Sequence, residues 1–118
     1  MSIERIEPGT RMSQAVIHSN TVYLAGQVAT GAVGRSVAEQ TKDILGKIDR
    51  LLADANSDKR HILSATIWLV DMANFAEMNS VWDRWVVDGA APARATVESA
   101  RLASPDYKIE IAVIAAQR

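Results

Sequence analysis

The chain has no cysteine, which excludes a disulfide scaffold, a thiolate zinc site and a cysteine nucleophile. It also has no glycine-rich phosphate loop and no Gly-x-Ser-x-Gly nucleophile motif. The two histidines, His18 and His61, lie far apart and lack the spacing of metal ligands. The sequence therefore predicts no metal centre and none of the common nucleophile motifs.

Lysine and arginine form no run, and the 13 basic and 14 acidic residues leave a net charge of −1. Nucleic-acid binding depends largely on neutralised phosphates, so this composition argues against RNA or DNA as a partner. No apolar stretch reaches the length of a membrane span, and residues 1–10 lack the apolar core of a signal peptide. We therefore expect a cytoplasmic protein with no membrane partner.

The chain otherwise has a typical globular composition: 118 residues, of which 48% are hydrophobic and 23% are charged. This length suits one domain, and no linker, repeat or low-complexity segment divides residues 1–118. Hydrophobic spacing predicts helices at 36–55 and 74–87. Runs rich in β-branched residues predict strands within 14–29 and at 61–70, 93–99 and 107–116, with room for another at 3–7.

This order, β-β-α-β-α-β-β, predicts an α+β fold with a mixed sheet and both helices packed on one of its faces. The second face has no helix left to cover it, so we expect oligomerisation to bury that face. Residues 18–20 form a polar break that suits a hairpin turn. In the strand that follows, Val22, Gly26 and Val28 are expected to share one face.

Two short patterns predict how the helices begin. Ser36 and Glu39 have the spacing of a capping box, in which each side chain bonds a free backbone N–H of the other residue. Asn74 and Glu77 repeat this arrangement at the start of the second helix. Gly89 follows that helix and is typical of a helix end.

Arg94 is the first candidate functional residue, because it begins a strand in a segment, 90–97, that is otherwise free of charge. A guanidinium in this position can bind a carboxylate through two parallel hydrogen bonds. The residue pattern alone leaves open two other interpretations: a strand-end arginine that points to water, or a structural ion pair.

Glu110 is the second candidate, since it lies mid-strand between two isoleucines. If it faces a cleft or a subunit contact, its carboxylate is desolvated and has a raised pKa suited to proton transfer. If it faces water, it is an ordinary surface glutamate. A hairpin closed around residues 100–106 would place Thr96 opposite Glu110 and put Arg94 on the same face. We take this register as the expectation.

The residues around both candidates resemble the signature of the RidA family, also called YjgF or L-PSP. The most specific part of the resemblance is Pro-Ala-Arg-Ala-Thr-Val-Glu at 92–98, followed by Lys-Ile-Glu-Ile at 108–111. Weaker similarities, in the family's order, lie in Ser-Gln-Ala at 13–15, Ala-Gly-Gln-Val at 25–28 and Asn-Phe-Ala-Glu-Met-Asn at 74–79.

The resemblance implies a chorismate-mutase-like fold and a homotrimer with clefts between its subunits. It also implies hydrolysis, without a cofactor, of the 2-imino and 2-enamino acids that PLP-dependent dehydratases release. On this basis Arg94 binds the substrate carboxylate, and Glu110 positions or activates water. Gly26, Asn79 and Thr96 match further positions that line the cleft.

Two departures from the family pattern remove polar groups from positions expected to contact the substrate. Met12 lies where a tyrosine is common, and Ala25 replaces the serine of a Ser-Gly-Gln segment. A more apolar pocket favours a bulkier imino acid, or another small carboxylate that is bound without turnover. Ribonuclease activity on single-stranded RNA is a third hypothesis, which the near-neutral charge disfavours.

Overall fold

The computed structural model of the protein describes residues 2–118. In chain order these residues form β1 (Glu4–Pro8), β2 (Ser13–His18), β3 (Thr21–Leu24), β4 (Gln27–Val28), α1 (Val37–Asp54), β5 (Ile62–Leu69), α2 (Phe75–Trp85), β6 (Ala93–Glu98) and β7 (Ile109–Ala116). The strands make one mixed sheet in the order β1-β2-β3-β7-β5-β6, with β4 paired to β7. The predicted α+β fold is confirmed, including the additional strand at the N-terminal end.

The hairpin between β2 and β3 turns at the predicted polar break. Ser19 and Asn20 both have positive φ, of 52° and 63°, which is the conformation of a type I′ turn and matches the twist of the flanking strands. This turn pairs Ile17 with Val22, and both side chains are buried in the core.

The core lies between one face of the sheet and the two helices, as predicted. Alternate residues of β5 and β7 point into it, and α1 adds a buried stripe; these residues are Ala65, Ile67, Leu69, Ile109, Ile111, Val113, Ile44, Leu45, Ile48, Leu51 and Leu52. The opposite face, here called the open face, carries Thr66, Trp68, Ala95, Val97, Glu110, Ala112 and Ile114. Within residues 2–118, neither helix is long and apolar enough to cross a bilayer.

The start of α1 is capped by two different elements. Ser36 accepts a hydrogen bond from the backbone N–H of Glu39 at 3.2 Å, as predicted. The Glu39 carboxylate does not return the bond but pairs with Arg35 at 3.5 Å. Glu77 of α2 accepts from the backbone N–H of Ala38 at 2.8 Å. The carboxylate therefore satisfies a free N–H of α1 and ties the two helices together.

The predicted cap of α2 is wrong. Asn74 makes no capping hydrogen bond with its side chain. A 3-10 turn at Met72–Asn74 precedes the helix, and the side chain of Asp71 accepts from the backbone N–H of Ala73 at 2.9 Å. Asn74 consequently has φ −87° and ψ 6°, which is not the extended backbone that an N-cap residue adopts.

The strand predicted to continue to Val28 is interrupted at residues 25–26. Gln27 pairs with Ile111 on the helix-covered face and is buried, while Val28 pairs with Glu110 on the open face. The expectation that Val22 and Val28 share a face is therefore wrong, because the two-residue break changes the alternation of the side chains.

The last two strands do not form the expected hairpin. β6 runs parallel to β5, and β7 runs antiparallel to β5 on its other side. The physical reason is that α2 connects β5 to β6, and a helical crossover of this kind returns the chain as a parallel neighbour of the first strand. β7 therefore takes the remaining edge of β5.

Candidate functional site

Arg94 and Glu110 lie on opposite faces of the sheet, which corrects the expectation that they share one. Arg94 pairs with Ala65, a core residue beneath the helices. Glu110 pairs with Trp68 on the open face. Thr96 pairs with Ile67 of β5 and is therefore not opposite Glu110. Within one chain the two candidate residues do not meet, and each belongs to its own group of side chains.

The first group surrounds Arg94, on the helix-covered side of the sheet edge. The Cζ atom of Arg94 lies 5.1 Å from the ring centroid of Trp82 and 5.9 Å from that of Phe75. The two aromatic residues are seven positions apart, which places them on one side of α2. Both distances fall within the range of cation–π attraction, so the guanidinium is held against two rings.

The guanidinium has no charged or hydrogen-bonding partner within residues 2–118. Two further polar atoms are also unsatisfied there: Oδ1 of Asn79 and Oγ1 of Thr96 are buried without a hydrogen-bond partner. A buried polar group in this state costs about 1–3 kcal/mol, and a native structure that retains one calls for an explanation such as a ligand or water. These unpartnered groups all come from α2 and β6.

We call Phe75, Asn79, Trp82, Arg94 and Thr96 the arginine cluster. Asn79 lies four residues after Phe75 and three before Trp82 on α2, so it shares their side of the helix. Thr96 lies two residues after Arg94 and shares its face of β6. Chemically, the cluster offers a fork of N–H donors with one unpaired positive charge, which suits a planar carboxylate.

The second group surrounds Glu110 on the open face. Burial raises the pKa of Glu110 above its ordinary value, because the charged carboxylate loses part of its hydration. A Cβ placed on Gly26 would overlap Oε2 of Glu110 and lie 2.9 Å from its Cδ. Glycine at position 26 is therefore what allows the carboxylate to pack against the backbone. We call Gly26, Ala25 and Glu110 the glutamate cluster.

Two glutamines hold the backbone of the glutamate cluster in place. The backbone N–H of Ala25 donates to the carbonyl oxygen of Gln14 at 2.9 Å. The side-chain amide of Gln27 donates to the carbonyl oxygen of Ala25 at 3.0 Å and to Oε1 of Gln14 at 2.9 Å. These bonds fix the 25–26 break, and with it the approach of Gly26 to Glu110.

Met12 lies near this break, beside Gly26. It is 49% exposed and lines a cavity of about 340 Å³ together with Gln14, Gly26 and Gln27. The structure thus places Met12 and Gly26, two of the predicted site residues, at one cavity. Ala25 is adjacent to Gly26 in the chain.

Phe75, Trp82, Gln14 and Gln27 have site roles that were not predicted from the sequence. The two aromatic residues belong to the apolar stripe of α2, and their spacing does place them on one side of the helix. The spacing could not predict that β6 lies beneath these two rings, because this depends on the parallel pairing of β5 and β6.

Replacing Gly26 with alanine is expected to displace the Glu110 carboxylate toward water and lower its pKa toward the ordinary value. The cause is the overlap of the new methyl group with Oε2. The pKa can be followed by ¹³C NMR titration of the carboxyl group.

Gly46→Ala is the matched control, since a Cβ there meets no atom within 4 Å. It should leave that pKa unchanged and stabilise α1 by about 0.5–1 kcal/mol. An unchanged Glu110 pKa in Gly26→Ala would show that the two residues do not pack together.

The chain belongs to the class of small α+β proteins in which two helices pack on one face of a mixed sheet. Residues 2–117 match the family model described as Endoribonuclease L-PSP. A RutC family protein of Haemophilus influenzae is 49% identical over 115 residues, which cover 98% of each chain. The RutC family protein YoaB of Escherichia coli is 46% identical over 116 residues, 98% of this chain and 99% of that one.

Solved structures agree with the sequence comparisons. A member of the YjgF protein family from Neisseria meningitidis superposes with a TM-score of 0.96 at 46% identity, and the match covers 100% of this chain and 97% of that chain. The chain therefore belongs to the YjgF/RutC (L-PSP) family. The family resemblance inferred from segments 92–98 and 108–111 is confirmed over the whole matched length.

Proposed function

We propose that this protein hydrolyses 2-imino and 2-enamino acids to 2-keto acids and ammonia, at a site shared between the subunits of a homotrimer. The observation that carries this proposal is the state of Arg94. Its guanidinium is held on the rings of Phe75 and Trp82, without an acidic partner among residues 2–118. An arginine positioned in advance and left unpaired is suited to a carboxylate that comes from a ligand.

A second copy of the chain explains why the two clusters are separate. Arg94 and Glu110 cannot reach one small ligand from opposite faces of a single sheet. Where the arginine cluster of one subunit faces the glutamate cluster of its neighbour, both residues line the same cleft. Three equivalent contacts of this kind close a ring, which is the assembly that the family resemblance implies.

The chemistry requires little of the protein. Arg94 holds the carboxylate, which orients the adjacent C=N bond. The Glu110 carboxylate of the neighbouring subunit accepts a proton from water, whose oxygen then adds to C2 of the protonated imine. Glu110 returns the proton to the amine nitrogen. The C–N bond then breaks, the hydroxyl group loses its proton to become the keto C=O, and ammonia leaves as ammonium. One water is consumed for each imine.

A coupled assay tests this activity. An amino-acid oxidase generates imino acids in situ from amino acids with small and bulky side chains, and keto-acid formation is followed with and without the protein. We expect the protein to accelerate the reaction, and the ranking of side chains to reveal the preference. No acceleration for any imino acid, with the protein shown to be folded and oligomeric, would contradict the proposed activity.

Carboxylate binding without turnover is a second candidate, favoured by the two apolar replacements. Met12 and Ala25 present no hydroxyl group to a ligand, so the cleft has fewer groups to orient water. This candidate predicts saturable binding of a 2-keto acid by calorimetry together with no acceleration in the coupled assay. The description of the family model names an endoribonuclease, but the net charge of −1 gives RNA little electrostatic attraction.

Placing a charge on the open face is expected to break the trimer. Val97 and Ile114 are 43% and 37% exposed there, and a buried, unpaired carboxylate is strongly unfavourable at an apolar contact. Ile114→Asp should reduce the mass in solution from three times 12.8 kDa to one chain, and activity should fall with it.

Val33→Asp is the control, because Val33 is 52% exposed but lies in a loop outside the sheet. Light scattering after size exclusion measures the mass, and an Ile114→Asp protein that stays trimeric would place the interface elsewhere.

A further inference from the structure

A groove of about 480 Å³ lies between α1 and α2, on the side of the helices away from the open face. The buried side chains of Leu45 and Val81 and the partly buried ring of Trp85 form its apolar floor. Its volume falls within the range of small-molecule sites. Nothing in the proposed function uses these residues.

The charges around the groove are unbalanced. Lys42, Lys59 and Arg84 line it, and none of the three forms an ion pair within residues 2–118. The acidic lining residue, Asp49, accepts hydrogen bonds from Nε1 of Trp85 at 3.2 and 3.1 Å through its two oxygens. The groove is therefore locally positive in a chain of net charge −1, which favours an anionic ligand.

Gly46, which also lines the groove, is an unfavourable residue for its position in α1. It lies inside α1, where glycine costs about 0.5–1 kcal/mol relative to alanine. An added Cβ would meet no heavy atom within 4 Å, so packing within the chain does not require glycine. Gly46 lines the groove, and the missing side chain leaves open space there. A residue whose intrinsic preference conflicts with its secondary structure, and whose packing does not explain the conflict, is expected at a functional site.

We propose that this groove is a second ligand site, for a small molecule that carries an anionic group on an apolar, aromatic body. Lys42, Lys59 and Arg84 would bind the anionic group, and the aromatic body would pack on Trp85 in the space over Gly46. The amine of Lys59 already lies 5.5 Å from the ring centroid of Trp85. A ligand would therefore meet cation and ring together.

The groove is separate from the arginine cluster. The ring of Trp82 lies between them: its centroid is 5.3 Å from that of Trp85 and 5.1 Å from Cζ of Arg94. The proposed ligand site goes beyond the proposed function and does not depend on imine hydrolysis, so each can fail without the other.

Phenyl phosphate is a suitable probe, because it joins a phosphate to an aromatic ring. The indole N–H signals of the three tryptophans can be followed by ¹H–¹⁵N NMR during a titration. We expect a saturable shift of the Trp85 signal, with Trp68 on the open face unchanged as an internal reference. Phenol and inorganic phosphate, each with half of the probe's features, should bind at least tenfold more weakly. A Trp85 signal that does not shift, or does not saturate, overturns the proposal.

Variants separate this groove from other places where an anion could bind. The double variant Lys59→Ala, Arg84→Ala should weaken the binding of phenyl phosphate at least tenfold, and Gly46→Leu should fill the groove and abolish it. Arg94→Ala should bind the probe as wild type does; if it does not, the probe occupies the arginine cluster and the proposal is wrong. An oligouridylate that saturates the Trp85 shift where phenyl phosphate does not would assign the groove to RNA and likewise overturn it.

Discussion

Arg94→Ala is expected to lower kcat/KM for every imino acid by roughly a hundredfold or more, because the variant removes a charge-assisted, two-point bond to the substrate carboxylate. The loss should be similar for small and bulky substrates, since all of them share the carboxylate. The coupled keto-acid assay measures it. The variant should still fold, because the guanidinium makes no ion pair or hydrogen bond within residues 2–118, but the loss of its contacts with Phe75 and Trp82 should lower stability by about 1 kcal/mol.

Arg94→Lys is the matched control for this prediction. It keeps the positive charge but loses the planar fork and the stacking on Trp82 and Phe75. We expect activity between that of wild type and that of Arg94→Ala. Full activity in a folded Arg94→Ala protein would show that the carboxylate binds elsewhere.

Glu110→Gln is expected to lower kcat by roughly a hundredfold or more, in the range that general acid–base catalysis supplies. Burial raises the pKa of Glu110, so the wild-type rate should fall on the acidic side at a pH above the ordinary glutamate range. Glutamine cannot accept the proton from water, so the residual rate of the variant should lack this acidic limb. A variant that keeps wild-type kcat, or the same acidic limb, would exclude Glu110 as the base.

The same substitution has an opposite effect on stability. Because its pKa is raised, Glu110 binds a proton more tightly in the folded than in the unfolded protein, so its contribution to stability is present at low pH and is lost as the pH rises through that pKa. Glutamine does not ionise, so Glu110→Gln does not lose stability in this way as the pH rises. The variant should melt at a higher temperature than wild type at pH 7, and the difference should vanish at a pH below the ordinary glutamate pKa. Thermal melts across pH measure this directly.

The elements of the fold could be predicted because each has a local cause. The helix at 37–54 follows from apolar periodicity and from the Ser36 cap. The hairpin turn follows from Ser19 and Asn20, two residues that adopt positive φ in a polar break. These features depend on neighbours a few positions away in the chain.

The pairing of the strands depends on distant residues and was predicted wrongly. An apolar run such as 109–116 carries no mark of which strand it joins, and a direct hairpin with 93–98 is the simplest choice. The crossover through α2 places β5 between them instead. The error mattered for function, since it placed Arg94 and Glu110 on one face.

The residues of the candidate site were found through the family resemblance, and the structure supplied their arrangement. Segments 92–98 and 108–111 pointed to Arg94 and Glu110, but no periodicity in the chain indicates that Phe75 and Trp82 lie under the guanidinium. Likewise, the contact of Gly26 with Glu110 follows from the break at 25–26, which interrupts an otherwise regular strand pattern.

Subunit mixing tests the shared site most directly. Arg94→Ala and Glu110→Gln proteins, each with only residual activity alone, are unfolded together in equal amounts and refolded. If each site takes Arg94 from one subunit and Glu110 from its neighbour, random mixing should restore about a quarter of the wild-type sites. The double variant, mixed with wild type, controls for refolding. Activity no greater than that of the two variants refolded separately, with mixed trimers shown by native mass spectrometry, would contradict a site built from two chains.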